Sequence, residues 1–164
     1  MNVAQTSKTK GFTIIEVVLV LAIAGLIFLM VFIALPALQR SQRDTQRRND
    51  LSRVESQLQT YQTNNRQALP PDSGPGGFTN TGAEGFIAKY LTAGGDTFSD
   101  PNGTAYSFAA GPIPDGATYD STKASVYYTR GAICNGETAQ TGQGSGKIAF
   151  QLKLEGGGVA CVSN

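Results

Sequence analysis

Histidine and tryptophan are both absent from the 164-residue sequence, and cysteine occurs only twice. Without histidine there is no Ser–His or Cys–His nucleophile pair and no imidazole metal site. Cys134 and Cys161 are too far apart in sequence to form a C-x-x-C redox or zinc motif. Charge is scarce: Asp, Glu, Lys and Arg make up 15% of residues, against about a quarter of an ordinary soluble chain. The net charge of +1 argues against a dedicated nucleic-acid binder, which presents a strongly basic face. There is no phosphate loop and no pair of carboxylates at a telling spacing. The expectation is therefore no catalysis, no cofactor and no metal. The length fits one domain, or one small domain with an appendage.

What is present falls into three zones. Residues 1–11 are polar, with Lys8 and Lys10 and no acid. Residues 12–38 (FTIIEVVLVLAIAGLIFLMVFIALPAL) hold one charge, Glu16, and the 22 residues from Val17 to Leu38 hold none. That run is about the length a helix needs to cross a bilayer core. A single small domain has no core wide enough to hide such a segment on every side. A secretory signal would have a shorter apolar core and a small-residue cleavage site after it, and neither is found.

Residues 39–66 are rich in glutamine and charge and contain no glycine or proline. Leu51, Val54, Leu58 and Tyr61 recur at three- and four-residue spacing, which predicts one apolar helix face. Asn64-Asn65 and Pro70-Pro71 are stop signals. One helix from about Thr13 to Asn64 is expected, about 75–80 Å long at 1.5 Å per residue. Pro36 should kink it and Gly25 weaken it. Arg40 with Asp44, and Asp50 with Arg53, sit at pairing distance on its surface.

Residues 67–164 carry five Lys/Arg and eight Asp/Glu, a balance of −3. PPDSGPGG reads as a loop and Phe86–Leu91 as a short helix. Ala105–Ala109, Ser125–Arg130, Lys147–Leu154 and Val159–Val162 read as strands between glycine-rich turns. Ile148, Phe150, Leu152 and Leu154 alternate with Lys147, Ala149, Gln151 and Lys153, as in a half-buried strand. A sheet with one apolar face needs a cover, and the Leu51–Tyr61 stripe is the obvious one. Tyr106, Tyr119, Tyr127 and Tyr128 read as sheet residues rather than an adhesive patch.

Glu16 is the most informative single residue. A charge within hydrocarbon costs several kcal/mol unless it reaches the interface or finds a cation. Glu16 lies near the helix end, so snorkelling to the interface is one reading. The other is a cation: a cut after Gly11 would create an amine on Phe12. Within one helix this amine would neighbour Glu16, and between copies it would set an axial register.

Lys10-Gly11-Phe12-Thr13-Ile14-Ile15-Glu16, followed by about twenty apolar residues, strongly resembles the class III signal of type IV prepilins. The resemblance implies the α+β pilin fold, a long N-terminal helix packed against a C-terminal antiparallel β-sheet. It implies cleavage by a prepilin peptidase between Gly11 and Phe12 and methylation of the Phe12 amine. Glu16 would neutralise that amine on an adjacent subunit, and Gly25 and Pro36 would be helix-weakening positions. Asp100-Pro101-Asn102-Gly103-Thr104-Ala105-Tyr106 resembles the D-P-x-G-x-x-Y turn of pilins and of major pseudopilins of type II secretion, with Asn102 where pseudopilins have Trp.

Several expectations follow from the resemblance. Residues 1–11 are the leader, 12–38 the transmembrane and filament-core helix, 39–66 its amphipathic half, and 67–164 an extracytoplasmic β-rich domain. The partners are other pilin subunits, the prepilin peptidase, the assembly platform in the membrane and, before assembly, membrane lipid. The precursor spans the cytoplasmic membrane once and later joins a cell-surface pilus. On charge alone the orientation is not clean. Arg40, Arg43, Arg47, Arg48 and Arg53 follow the span closely, against Lys8 and Lys10 before it, and the positive-inside rule would keep the C-terminus cytoplasmic. The family resemblance places that domain outside. An oxidising compartment would favour a Cys134–Cys161 bridge, contributing roughly 3–4 kcal/mol, over two buried thiols. The bridge would resemble the C-terminal disulfide loop of pilins. The Arg40–Arg53 cluster reads as a solvated face pairing with acids of neighbouring subunits rather than a nucleic-acid or lipid site. Asp96 and Asp100 are too few oxygens for calcium, although related pseudopilins bind it. A pseudopilin of a secretion or competence system, or a minor pilin, would share the N-terminal features. A membrane-tethered enzyme or binding module would keep its leader and remain monomeric.

Overall fold

In the computed structural model, residues 11–164 are described. The chain divides into two compact units, residues 1–39 and 40–164. The first contains the N-terminal part of helix α1 (Ile14–Asn64), which is helical throughout, including at Gly25 and Pro36. Its apolar side chains face outward: Phe12 is 87% exposed and Phe32 75%. The helix is long and apolar enough here to cross a membrane. Lys8 and Lys10 of the expected leader lie outside the described residues.

The second unit is an α+β domain. The sequence from Leu51 onward supplies an apolar stripe, and Leu51, Val54 and Leu58 are fully buried on the sheet, with Tyr61 partly buried beside them. The six strands are β1 (Ser107–Ala110), β2 (Ser125–Arg130), β3 (Ala132–Asn135), β4 (Thr138–Thr141), β5 (Ile148–Lys153) and β6 (Val159–Ser163). The main sheet has the order β1-β2-β5-β6, and β3 and β4 form a separate hairpin. One π-type turn, Ile87–Leu91, occupies the expected short helix. The core centres on Phe78, whose ring lies 5.1 Å from those of Phe86 and Phe108, 4.7 Å from Tyr128 and 5.7 Å from Phe150. Edge-to-face and tilted aromatic pairs of this kind contribute beyond their buried area. The loop that carries Phe78 closes tightly, and Gly85 is required there: a Cβ would meet the Asn80 carbonyl oxygen at 1.8 Å.

The structure corrects three features of the sequence reading. The sheet is mixed, because β1 pairs with β2 in parallel, Phe108 opposite Val126, while β2–β5 and β5–β6 are antiparallel. The long loop after Gly111 carries the chain back to start β2 beside the start of β1, which a tight hairpin turn would not allow. β5 is buried on both faces rather than one. Ile148, Phe150 and Leu152 join the core under α1, while Ala149 and Gln151 are also buried. The β3–β4 hairpin covers that second face, with Gln151 Nε2 donating to the Glu137 carbonyl at 2.7 Å. The hairpin itself was not anticipated. Finally, Tyr127 and Tyr128 lie in β2 as expected, whereas Tyr106 precedes β1 and Tyr119 lies in the loop after it; Tyr106 and Tyr128 are buried in the core.

The end of α1 stores local strain. The Gln67 N–H returns to the Gln62 carbonyl at 2.8 Å, closing the last turn, and this places Arg66 and Gln67 at φ values of 53° and 64°. Neither residue is glycine or asparagine, the types that enter this region readily. Both side chains are exposed. Gln67→Gly is therefore expected to raise stability by about 0.5–1 kcal/mol, relief of the left-handed strain outweighing the extra freedom of the unfolded chain. Denaturant unfolding of the two proteins side by side checks this, and an unchanged or lower midpoint would refute it.

Candidate functional site

The head of α1 is organised around Glu16. Thr13 takes the N-cap position and Glu16 lies three residues on, the arrangement of a capping box. The Glu16 Oε2 accepts from the Thr13 N–H at 3.2 Å and from its hydroxyl at 3.1 Å, and the Glu16 N–H donates to Thr13 Oγ1 at 3.4 Å. Oε1 makes no hydrogen bond among the described residues. The carboxylate borders a shallow apolar recess lined by Phe12, Val17, Val20 and Leu21. An acid here neutralises unpaired N–H groups and the positive end of the helix dipole, and it keeps one oxygen for another donor. Gly11 and Phe12 precede the helix and are exposed.

The sequence also places Cys134 and Cys161 in the candidate site. They are bonded to each other, with Cα atoms 5.8 Å apart, and so tie the β3–β4 hairpin to edge strand β6. The Cys134 N–H donates to Ser163 Oγ at 3.1 Å beside the bridge.

A third constellation was missed by the sequence reading. Arg47 has no exposed side-chain surface. Its Nε and Nη2 grip Asp100 as a fork, at 2.6 and 3.0 Å, and Nη1 reaches Asp44 at 2.8 Å and Glu155 at 3.4 Å. Nη2 also donates to the Tyr119 hydroxyl at 2.6 Å, and the guanidinium lies 4.3 Å from that ring's centre. Arg43 holds Glu155 in a second fork, at 2.7 and 2.6 Å, and Arg40 stands 3.8 Å away. Asp44 is the acceptor for the backbone N–H groups of Glu155 and Gly156, at 2.9 and 2.7 Å. A buried arginine persists only when paired and hydrogen-bonded in this way.

These contacts correct the charge reading of the helix. Asp44 pairs with Arg47 rather than Arg40, Asp50 accepts from the Tyr106 hydroxyl at 3.1 Å, and Arg53 pairs with Asp96 at 2.8 Å and with the Leu91 carbonyl. Arg43, Arg47 and Arg53 thus meet acids of their own domain. Asp96 and Asp100, weighed as calcium ligands, are both engaged by arginines. Among the described residues no group of three acidic or cysteine side chains is arranged to hold a metal ion. One signal for the buried arginine was available. Between Arg40 and Asp50 there is no apolar residue, so a helix packed there has only polar contacts to offer.

The electrostatics follow from the geometry. Arg43's hydrogen bonds, against a smaller burial penalty, hold the Glu155 carboxyl down at about 2 rather than 4.5. Burial pushes the Asp100 carboxyl up, but hydrogen bonds from Arg47 and the Asn102 N–H outweigh it and the net shift is downward. Burial likewise works against charge on Arg47, and its bonds to Asp100 and Asp44 overcome that and raise its pKa. Asp50 is shifted upward, mainly by burial.

Among known families, residues 6–32 match the model described as the prokaryotic N-terminal methylation motif. The N-terminus therefore carries the class III signal of type IV pilin-like precursors. The match takes in Gly11, Phe12, Glu16 and most of the apolar run, and leaves the C-terminal domain uncovered. Neither the curated proteins nor the solved structures provide a match to the chain.

The depressed carboxylates give stability a defined pH dependence. A carboxyl lowered on folding contributes stability that is present above its unfolded value and lost as pH falls through its folded one. For Glu155 that window runs from 4.5 down to about 2, and Asp100 acts in the same direction. Asp50, raised on folding, partly offsets them. Melting temperature should fall across this window, and Glu155→Gln should flatten the fall. Circular-dichroism melts of both proteins between pH 7 and 2 provide the check; superimposable acid limbs would exclude Glu155 as a contributor.

Proposed function

We propose that this chain is the structural subunit of a type IV pilus, made as a membrane-anchored precursor and polymerised through its N-terminal helix. One observation carries the reading. A methylation motif heads an outward-facing apolar stretch, residues 12–38, whose single charge, Glu16, stands four residues beyond Phe12. A helix that is apolar on every side needs lipid or other such helices. In this reading lipid covers it before assembly and copies of itself cover it afterwards. A prepilin peptidase cuts between Gly11 and Phe12 and the Phe12 amine is methylated. Glu16, whose second oxygen makes no hydrogen bond among the described residues, takes that amine on a neighbouring subunit as its partner. Gly25 and Pro36 are where the helix yields as it leaves the membrane for the filament. The membrane assembly platform receives the processed subunit.

The domain of residues 40–164 lies outside the cytoplasm and then on the cell surface. The Cys134–Cys161 bridge supports this placement, since such bonds persist in oxidising compartments. The role is structural, not catalytic. A second reading, a pseudopilin of a secretion or competence system or a minor pilin, shares the same N-terminal features; the Asp100–Tyr106 turn, with Asn102 where pseudopilins have Trp, does not favour it.

The deciding measurement is intact mass with N-terminal peptide mapping of native protein from sheared surface material and from membranes. The expected result is a chain beginning at methylated Phe12 and abundant in the sheared fraction. The same processed chain confined to membranes would favour the second reading. A chain that keeps its leader in cells with an active prepilin peptidase would overturn both. Glu16→Ala should leave cleavage intact and abolish recovery of filaments.

A further inference from the structure

Helix α1 is held to its domain by two kinds of contact in succession. From Leu51 to Tyr61 the buried contact is apolar, with Leu51, Val54 and Leu58 fully buried, and Arg53 adds an ion pair to Asp96 at its edge. From Arg40 to Asp50 there is no apolar side chain at all. Those three turns are held by ion pairs, hydrogen bonds and the stacking of Arg47 on the Tyr119 ring. From the helix come Arg40, Arg43, Asp44, Arg47 and Asp50. From the domain come Glu155 on the β5–β6 turn, Asp100 and Tyr106 on the segment before β1, and Tyr119 on the loop after it. Arg40, Arg43 and Arg47 face Asp44, Asp100 and Glu155, three charges against three, and Asp50 beside them is bound to the Tyr106 hydroxyl.

We propose that residues 40–50 form an ionic latch that opens separately from the apolar core, with Arg47 holding its parts together. The reason lies in how the two kinds of contact fail. Apolar packing spreads its stabilisation over many atoms. Here the carboxylates of Asp44, Asp100 and Glu155 all meet one guanidinium, although Glu155 has its shorter bonds to Arg43, and disturbing Arg47 leaves Asp100 without its charged partner in a buried place. Of the latch residues only Tyr106 also belongs to the core, where its ring lies 4.7 Å from that of Phe98. The ion pairs themselves share no side chain with the Leu51–Leu58 stripe or Phe78, so the core keeps its packing when they part. Opening uncovers the β5–β6 turn and the Asp100 turn together, because Asp44 and Arg47 hold both. The latch follows from the fold of the domain alone and does not depend on filament assembly.

Hydrogen exchange read by mass spectrometry on the full chain in detergent micelles tests this. The amides of Glu155 and Gly156 report directly, since Asp44 is their acceptor. Arg47→Lys keeps the charge and loses the fork. It should speed exchange in the Leu154–Gly158 turn about tenfold, while β2 and β5 amides stay within about twofold of the parent protein. Should Arg47→Lys fail to fold, Arg43→Gln takes its place, because Arg43 is partly exposed and its removal frees Glu155 from its stronger fork. A proportional rise across turn and core alike overturns the proposal, since the latch would then open only with the whole domain. Unchanged exchange in the turn overturns it as well, and so does loss of folding in both variants.

Discussion

The constraint on which everything else rests is that one unbroken helix meets two different surroundings. Through Leu38 its side chains suit hydrocarbon or another helix of the same kind, and from Gln39 onward they suit water and a folded domain. Helix geometry is indifferent to this change, because the backbone satisfies its own hydrogen bonds in either medium. The side chains are not. An outward-facing Phe32 is costly in water, and a buried Arg47 is costly in any medium unless its donors are all engaged. Among the described residues the first unit leaves its apolar surface uncovered, and the second supplies complete internal cover for a charge.

That second solution explains the D-P-N-G turn in physical terms. Asp100 caps the turn by accepting the Asn102 N–H at 3.0 Å, as expected of an Asx turn. The same carboxylate accepts the fork from Arg47, so one residue both shapes the loop and anchors it to the helix. The β5–β6 turn is docked by a reciprocal arrangement: its backbone N–H groups go to Asp44 and its side chain, Glu155, goes to Arg43 and Arg47. Two loops far apart in sequence are fixed on one helix face without an apolar residue.

Much of this was legible from the sequence, for reasons that can be named. The 3.6-residue period of Leu51, Val54 and Leu58 marks the buried helix face, and the alternation in Ile148–Leu154 marks a strand. β5 nonetheless proved buried on its second face, because Ala149 and Gln151 read as solvent-facing by composition. Only the packing of β3–β4 over them, with Glu137 accepting from Gln151, changes that. The hairpin itself was hidden because Thr138–Thr141 carries no strong apolar residue and is largely exposed. The parallel pairing of β1 was hidden because register between distant strands is set by tertiary packing. The arginine run misled for a related reason. Pattern on a helix surface suggests partners at i+3 and i+4, whereas Arg43 finds Glu155 more than a hundred residues away.

The head of the helix shows how two readings of one acid can coexist. A carboxylate three residues after an N-cap threonine belongs to the local helix, whatever else it does, because the first N–H groups lack acceptors. Glu16 meets that demand with Oε2 alone. Glu16 borders a recess it lines with Phe12, Val17, Val20 and Leu21, where an unpaired charge is poorly solvated in a lipid or helix environment. A cation presented there gains more than it would in water, since attraction strengthens as the local dielectric falls. Under the proposed reading, capping therefore does not compete with subunit recognition. It fixes the carboxylate's rotamer in advance, so that a neighbouring amine meets an acceptor already in place and less side-chain freedom remains to be lost on association.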